Sequence, residues 1–378
     1  MFQHKYIGNN KLRCIFLETV SHEEVYISIS YASGYGDRLI TENNEMMWVG
    51  SGSSNILTNI KRNQLQEKFP ELELNAQIAM DTSTINIKIT EGFLKESINL
   101  ILETLFVEDI TMEAFQHQKE LSQHDFELHM KNTTFNSMMD IQEYAIPNRL
   151  FNTALIQQDL MDVLYEDIVL LNETLFRPEN AIMVIGYNDR NFSESKWLEE
   201  KIDSDKYGQR EIHHVYKRNN YKNTVRKIYD SREERSIGTL LIRNKPIEIK
   251  LETELIFLQV IGLIIFKENY YVNIGKDYAS IVYENRNEID FLHRVMIEKW
   301  DEKEFYKARD SYYGGLQYVK TNDAGKFATI LSQHFVQDIN LLRTMNIFSD
   351  VTYEAFIDYI QIIKIKLAEM KIIYSGGG

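Results

Sequence analysis

Val25-Tyr26-Ile27-Ser28-Ile29-Ser30-Tyr31-Ala32-Ser33-Gly34 is the stretch that decides the fold: apolar and small polar residues alternate along it and stop at a glycine. That period of two belongs to a strand with one buried face, and Ser83-Thr84-Ile85-Asn86-Ile87-Lys88-Ile89 repeats it. Between and after these segments the period changes. Phe93 to Phe106 sets Leu94, Ile98, Ile101 and Leu105 on one helical face, and Met112 to about Met130 continues as a long polar helix. The layout is α+β.

Bulk properties narrow the function. The chain has 378 residues, 44% of them apolar, enough for two domains with sizeable cores. With 42 basic against 56 acidic residues its formal charge is −14, which opposes binding to a phosphate backbone, so no nucleic-acid partner is expected. Cys14 is the single cysteine; an internal disulfide and a cysteine-based zinc cluster are both excluded. The first residues lack an apolar signal core, and the longest apolar run, Leu255 to Phe266, is well short of the about 20 residues of a membrane span. A cytoplasmic protein without a membrane span is expected.

The pattern weakens from Tyr187 to about Arg235, where seven Lys or Arg residues between Lys206 and Lys227 face one acid, Glu211. A basic linker is the plain reading; a docking strip for an acidic partner or peptide is the other. His213-His214 falls in it with no acid or cysteine at metal spacing, and reads as solvated. Beyond it a strand is expected at Ser236 to Arg243, an apolar helix from about Leu251, a strand near Tyr278 to Tyr283, then helices. The second half thus repeats the order of the first. The expected domains are 1–200, a linker at 201–235, and a shortened domain at 236–374.

Three stretches of the first half, in order, resemble the pitrilysin or insulinase family of zinc peptidases. Tyr31-Ala32-Ser33-Gly34 followed by Glu42-Asn43-Asn44-Glu45-Met46-Met47-Trp48-Val49-Gly50-Ser51 is similar to the family's strand, glycine turn and metal helix. Leu74-Asn75-Ala76-Gln77 leading into Asp81-Thr82-Ser83-Thr84-Ile85 is similar to its edge strand and that strand's partner. Leu175-Phe176-Arg177-Pro178-Glu179-Asn180 with Met183-Val184-Ile185-Gly186 is similar to its approach to the last strand of the half.

The resemblance implies where chemistry should be found and is not. The family's inverted zinc motif, His-x-x-Glu-His on a helix, corresponds here to Glu42, Glu45 and Met46, and a thioether is a poor zinc ligand beside imidazole. None of the nine histidines lies four residues from another, so no helical histidine pair exists. The family's distal glutamate ligand corresponds to Asp125. Glu42, Glu45 and Asp125 could form a carboxylate cluster for a hard cation, or the first two could belong to a helix cap; no metal is assigned. The family's Arg and Tyr, seven residues apart, are also missing: no Arg here is followed by Tyr at that spacing. Val282-Tyr283-Glu284-Asn285-Arg286-Asn287 keeps only the surroundings, and the interval to Asp301-Glu302-Lys303-Glu304-Phe305 is short for the family.

What remains is the edge strand, with Asn75, Ala76 and Gln77 as expected peptide-binding residues, since main-chain pairing needs no catalytic side chain; the alternative is that Asn75 merely ends a strand. The resemblance implies two repeated mixed domains forming one half-clamshell of a pitrilysin-like peptidase. It further implies no cofactor in this chain, zinc in a catalytic partner subunit of the same family, and no peptidase activity by this chain alone. The expected role is that of an inactive subunit in a heterodimeric metallopeptidase complex. Size, acidity and the altered motif are most similar to the metal-free subunits of subtilosin-type bacteriocin maturation. A stand-alone peptide-binding or scaffold homodimer is the second expectation.

Overall fold

The computed structural model describes residues 2–7, 12–18, 24–36, 39–42, 45–79, 81–90, 94–131, 157–187, 212–214, 224–229, 236–243, 248–275, 279–285, 300–368 and 371–375. In the first half these form β1 (Phe2–Ile7), β2 (Leu12–Glu18), β3 (Glu24–Tyr31), β4 (Leu39–Glu42), β5 (Glu45–Trp48), α1 (Ser53–Lys68), β6 (Glu73–Ile78) and β7 (Ser83–Thr90). There follow α2 (Leu94–Phe106), α3 (Met112–Met130), α4 (Gln157–Asp162), α5 (Tyr165–Thr174) and β8 (Ala181–Tyr187).

Six strands make the first sheet in the order β1-β2-β8-β3-β7-β6, with β2 and β8 parallel and β3 at the heart, antiparallel to β8 and β7. The alternation read in the sequence sets its faces. Val25, Ile27, Ile29 and Tyr31 lie beside Ile85, Ile87 and Ile89 and are buried, together with Ile56, Leu57 and Ile60 of α1 and Ile98, Ile101 and Leu105 of α2. Each such side chain contributes about 1.5–3 kcal/mol when buried. Tyr31 stacks on Phe176 and meets Phe106 edge-on.

The second half supplies β9 (Ile212–His214), β10 (Thr224–Tyr229), β11 (Ser236–Arg243), α6 (Leu251–Ile265), β12 (Tyr270–Ile274) and β13 (Ala279–Asn285). It ends in α7 (Glu302–Asn322), α8 (Ala324–Val336), α9 (Leu341–Ile347), α10 (Tyr353–Ala368) and β14 (Lys371–Ser375). A five-stranded sheet runs β12-β13-β11-β10-β14. The expected repeat is visible in it: β11, α6, β12 and β13 follow one another as β3, α1, β6 and β7 do, and the strand orders β11-β13-β12 and β3-β7-β6 correspond. The chain divides into two compact units, and Tyr318–Val336, although from the second half, belongs to the unit of the first sheet.

Two expectations need correction. The stretch from Glu42 to Ser51 does not open a helix: β4 and β5 pair as an antiparallel hairpin and helix begins only at Ser53. Ile40, Thr41 and Trp48 favour strand, so local preference defeats the helix implied by resemblance. Gly52, at φ 87°, provides the break before α1, a conformation an L side chain rarely adopts. The stretch expected as a linker, 201–235, contains two strands. Ile212–His214 pairs with β4, bringing His213 and His214 into a ladder opposite Thr41 and Ile40, and β10 joins the second sheet beside β11 and β14. Thr224 to Tyr229 escapes a periodicity reading because Arg226 and Lys227 interrupt the apolar pattern.

Candidate functional site

The first sheet ends at β6, which pairs only with β7 among the described residues. Its approach is fixed locally: the side-chain amide of Gln66 donates to the carbonyls of Pro70 (3.0 Å) and Leu72 (3.2 Å), steering the chain from α1 into the strand. At the far end the Ala79 N–H donates to the Thr82 carbonyl at 2.8 Å. Antiparallel ladders alternate bonded and non-bonded pairs, so this contact sets the phase along the register. Glu73, Asn75 and Gln77 point their main-chain N–H and C=O at β7; Leu74, Ala76 and Ile78 turn theirs to the sheet edge. The side chains divide the same way, Glu73, Asn75 and Gln77 exposed and Leu74, Ala76 and Ile78 half-buried.

Beside this edge runs α8, packed across β3, β8 and β7. It covers the polar face of the sheet through hydroxyls. Ser332 bonds to Ser28 and Ser30 (both 2.8 Å), Ser30 to Thr84 (2.8 Å), and the Asn86 carbonyl oxygen accepts from Ser28 (2.7 Å) and Thr329 (2.8 Å). Between the outer face of β6 and β7 and the stripe Lys326, Ile330 and Gln333 of α8 lies a groove of about 580 Å³. Gln333 donates to Gln77 across it at 3.0 Å. Because Gly325 sits against Tyr26 at the Glu73 end while Gln333 meets Gln77, α8 and β6 run alongside one another.

Electrostatics are concentrated at that Glu73 end. Lys88 pairs with Glu24 at 2.8 Å and Glu73 at 3.5 Å. The bonds from Lys88 and Tyr26 hold the Glu24 carboxyl below its ordinary range, while the Lys88 amine is raised chiefly by its bond to Glu24. Tyr26 is pushed up to about 12, first by its bond to Glu24 and then by burial. Being surface groups, these contribute little to stability. A strongly buried cation lies elsewhere: Lys61 of α1 donates to the carbonyls of Thr104 (2.9 Å) and Glu108 (2.8 Å) around the end of α2, and burial pushes its amine down to about 7.

The structure brings Asn75, Ala76 and Gln77 together at the edge, with Asn75 and Gln77 lining the groove and Ala76 offering main chain. Glu42 and Glu45 are register partners and Met46 pairs with Thr41, each on strands rather than one helical turn; their side chains lie outside the described residues. Asp125 is exposed on α3. A pitrilysin-type zinc site needs two imidazoles on one helical turn, and a donor set of two carboxylates and a thioether carried by a β-hairpin does not fit it. Among the described residues no three His, Cys, Asp or Glu side chains gather at metal distance. Sequence reasoning missed the groove wall, Lys326, Thr329, Ile330 and Gln333, since nothing local ties it to residue 75.

No family model and no curated protein matches the chain. Solved structures do. One reported as an M16-like peptidase from Alicyclobacillus acidocaldarius has a TM-score of 0.79 at 12% identity over 99% of each chain. A protease from Helicobacter pylori has a TM-score of 0.69 at 13% identity over 100% of each. A peptidase M16 inactive domain from Pseudomonas fluorescens has a TM-score of 0.68 at 9% identity, over 99% of this chain and 97% of that one. The likeness is one of fold: the chain has the α+β fold of pitrilysin-like (M16) peptidases along its whole length. No helix among the described residues is long and apolar enough to cross a membrane.

Proposed function

We propose that this chain is the non-catalytic subunit of a heterodimeric zinc peptidase, holding a peptide along β6 while a partner of the same fold carries the zinc and the water that attacks. The observation behind the reading is the edge of β6, open among the described residues and flanked by the groove, in a peptidase fold whose motif positions Glu42, Glu45 and Met46 lie on a hairpin. Strand addition uses main-chain N–H and C=O groups, so a chain without ligands for zinc can still bind substrate. The inactive M16 domain among the structural neighbours supports the same reading. For the substrate we propose a ribosomally made bacteriocin precursor in the cytoplasm, on the resemblance in size, acidity and altered motif.

A stand-alone peptide-binding protein, acting as a homodimer without peptidase activity, is the second reading; the same edge favours it because strand addition needs no catalytic partner. Light scattering behind size exclusion separates the two, applied to the chain alone and mixed with a zinc-motif protein from the same gene cluster. A 1:1 complex that cleaves peptide, where this chain alone is inert, supports the heterodimer. A self-dimer that ignores the second protein supports the scaffold.

A further inference from the structure

We infer that the peptide taken up along β6 is an amphipathic strand, with amide or hydroxyl side chains at alternate positions on the α8 side and apolar side chains on the other. This rests on the strand-addition reading and adds the class of peptide. A strand laid beside β6 continues the two faces of the sheet, because side chains alternate with period two and neighbours on adjacent strands stand side by side.

On the α8 side the new residues stand next to Glu73, Asn75 and Gln77. The amide of Asn75 is exposed and makes no side-chain hydrogen bond among the described residues, whereas the carbonyl oxygens of Asn86 and Gln77 already accept from Ser28, Thr329 and Gln333. An added strand covers Asn75 against Ile330 and Gln333, and a covered amide without a partner is unfavourable. An amide or hydroxyl at the adjacent position supplies that partner and continues, by one strand, the polar row in which Asn75 and Asn86 are register partners. On the opposite side Leu74, Ala76 and Ile78 are only half-buried at the margin of the apolar layer, and apolar neighbours complete their cover.

The test uses the full chain and three labelled hexapeptides in fluorescence anisotropy: alternating Thr-Val-Gln-Leu-Asn-Val, its isomer Thr-Gln-Asn-Val-Leu-Val, and the alternating peptide N-methylated at every residue. The alternating peptide is expected to bind about tenfold tighter than its isomer, equivalent to about 1.4 kcal/mol, and the methylated one not at all. Asn75→Val, an exposed change, should weaken the alternating peptide about fivefold and the isomer by less. Equal affinity of the two isomers, or an Asn75→Val protein that binds both as before, overturns the amphipathic preference while strand addition stands. Binding of the methylated peptide, or of none of the three, overturns strand addition itself and this inference with it.

Discussion

Glu42 and Glu45 are register partners across the β4–β5 hairpin, not neighbours on a helical turn. Met46 belongs to the next pair, with Thr41. Successive pairs of a β-ribbon alternate between its two faces, whereas residues four apart on a helix share one. Placing histidines at both positions by Glu42→His with Met46→His therefore should not build a pitrilysin-type zinc site. The double variant is expected to retain no stoichiometric zinc after dialysis, by elemental mass spectrometry; one zinc per chain would contradict the hairpin.

Lys61 carries a pH signature. Its amine falls from an ordinary 10.5 to about 7 in the folded protein because it is buried. Between those values the unfolded chain binds a proton that the folded one does not, so the destabilising contribution is full below about 7 and is relieved as pH rises through the window. Denaturant titrations at pH 7 and 9 should show wild-type stability rising, with the slope reduced in Lys61→Met. An unchanged slope in the variant would remove Lys61 as its source.

Ser332 joins α8 to the sheet. Its hydroxyl meets Ser28 and Ser30, but each of those keeps a second partner, Asn86 and Thr84 respectively. Ser332→Ala should accordingly cost only about 1 kcal/mol in chemical denaturation. A loss several times larger would mean that the hydroxyl cluster acts as one cooperative unit.

Three glycines of the second half should respond in opposite directions. A Cβ at Gly262 would lie 2.2 Å from the Tyr270 ring, so Gly262→Ala overpacks α6 and should destabilise by about 1–3 kcal/mol. At Gly314 and Gly315, inside α7, a methyl group would meet nothing within 4 Å. Gly314→Ala and Gly315→Ala should each raise stability by about 0.8–1 kcal/mol through helix propensity, read from the shift in thermal midpoint.

Elements whose period is set by their own core were legible in the sequence: β3, β7, β11, α2, α3 and α6 fall where Val25–Tyr31, Ser83–Ile89 and the helical patterns put them. Elements defined by distant partners were not. β10 is held on one side by β14, well over a hundred residues away in the chain, and its own Arg226 and Lys227 resemble a solvated run. Ser28 and Ser30 mark a polar sheet face that reads as open to water, yet both are buried, because Ser332 brings a matching hydroxyl from about 300 residues further along the chain. At the candidate site, Asn75, Ala76 and Gln77 could be named from their likeness to an edge strand; the division between main-chain edge and groove-facing side chains required the register. The β4–β5 hairpin was missed because likeness to a metal helix outweighed the strand preference of Ile40, Thr41 and Trp48.

Whether this chain binds peptide without cutting it can be decided by incubating the purified protein with an excess of zinc and an equimolar extended peptide, then analysing the mixture by mass spectrometry with and without a chelator. Intact peptide recovered with the protein under both conditions is the expected result. Peptide fragments that form with zinc and disappear with the chelator would contradict a non-catalytic role.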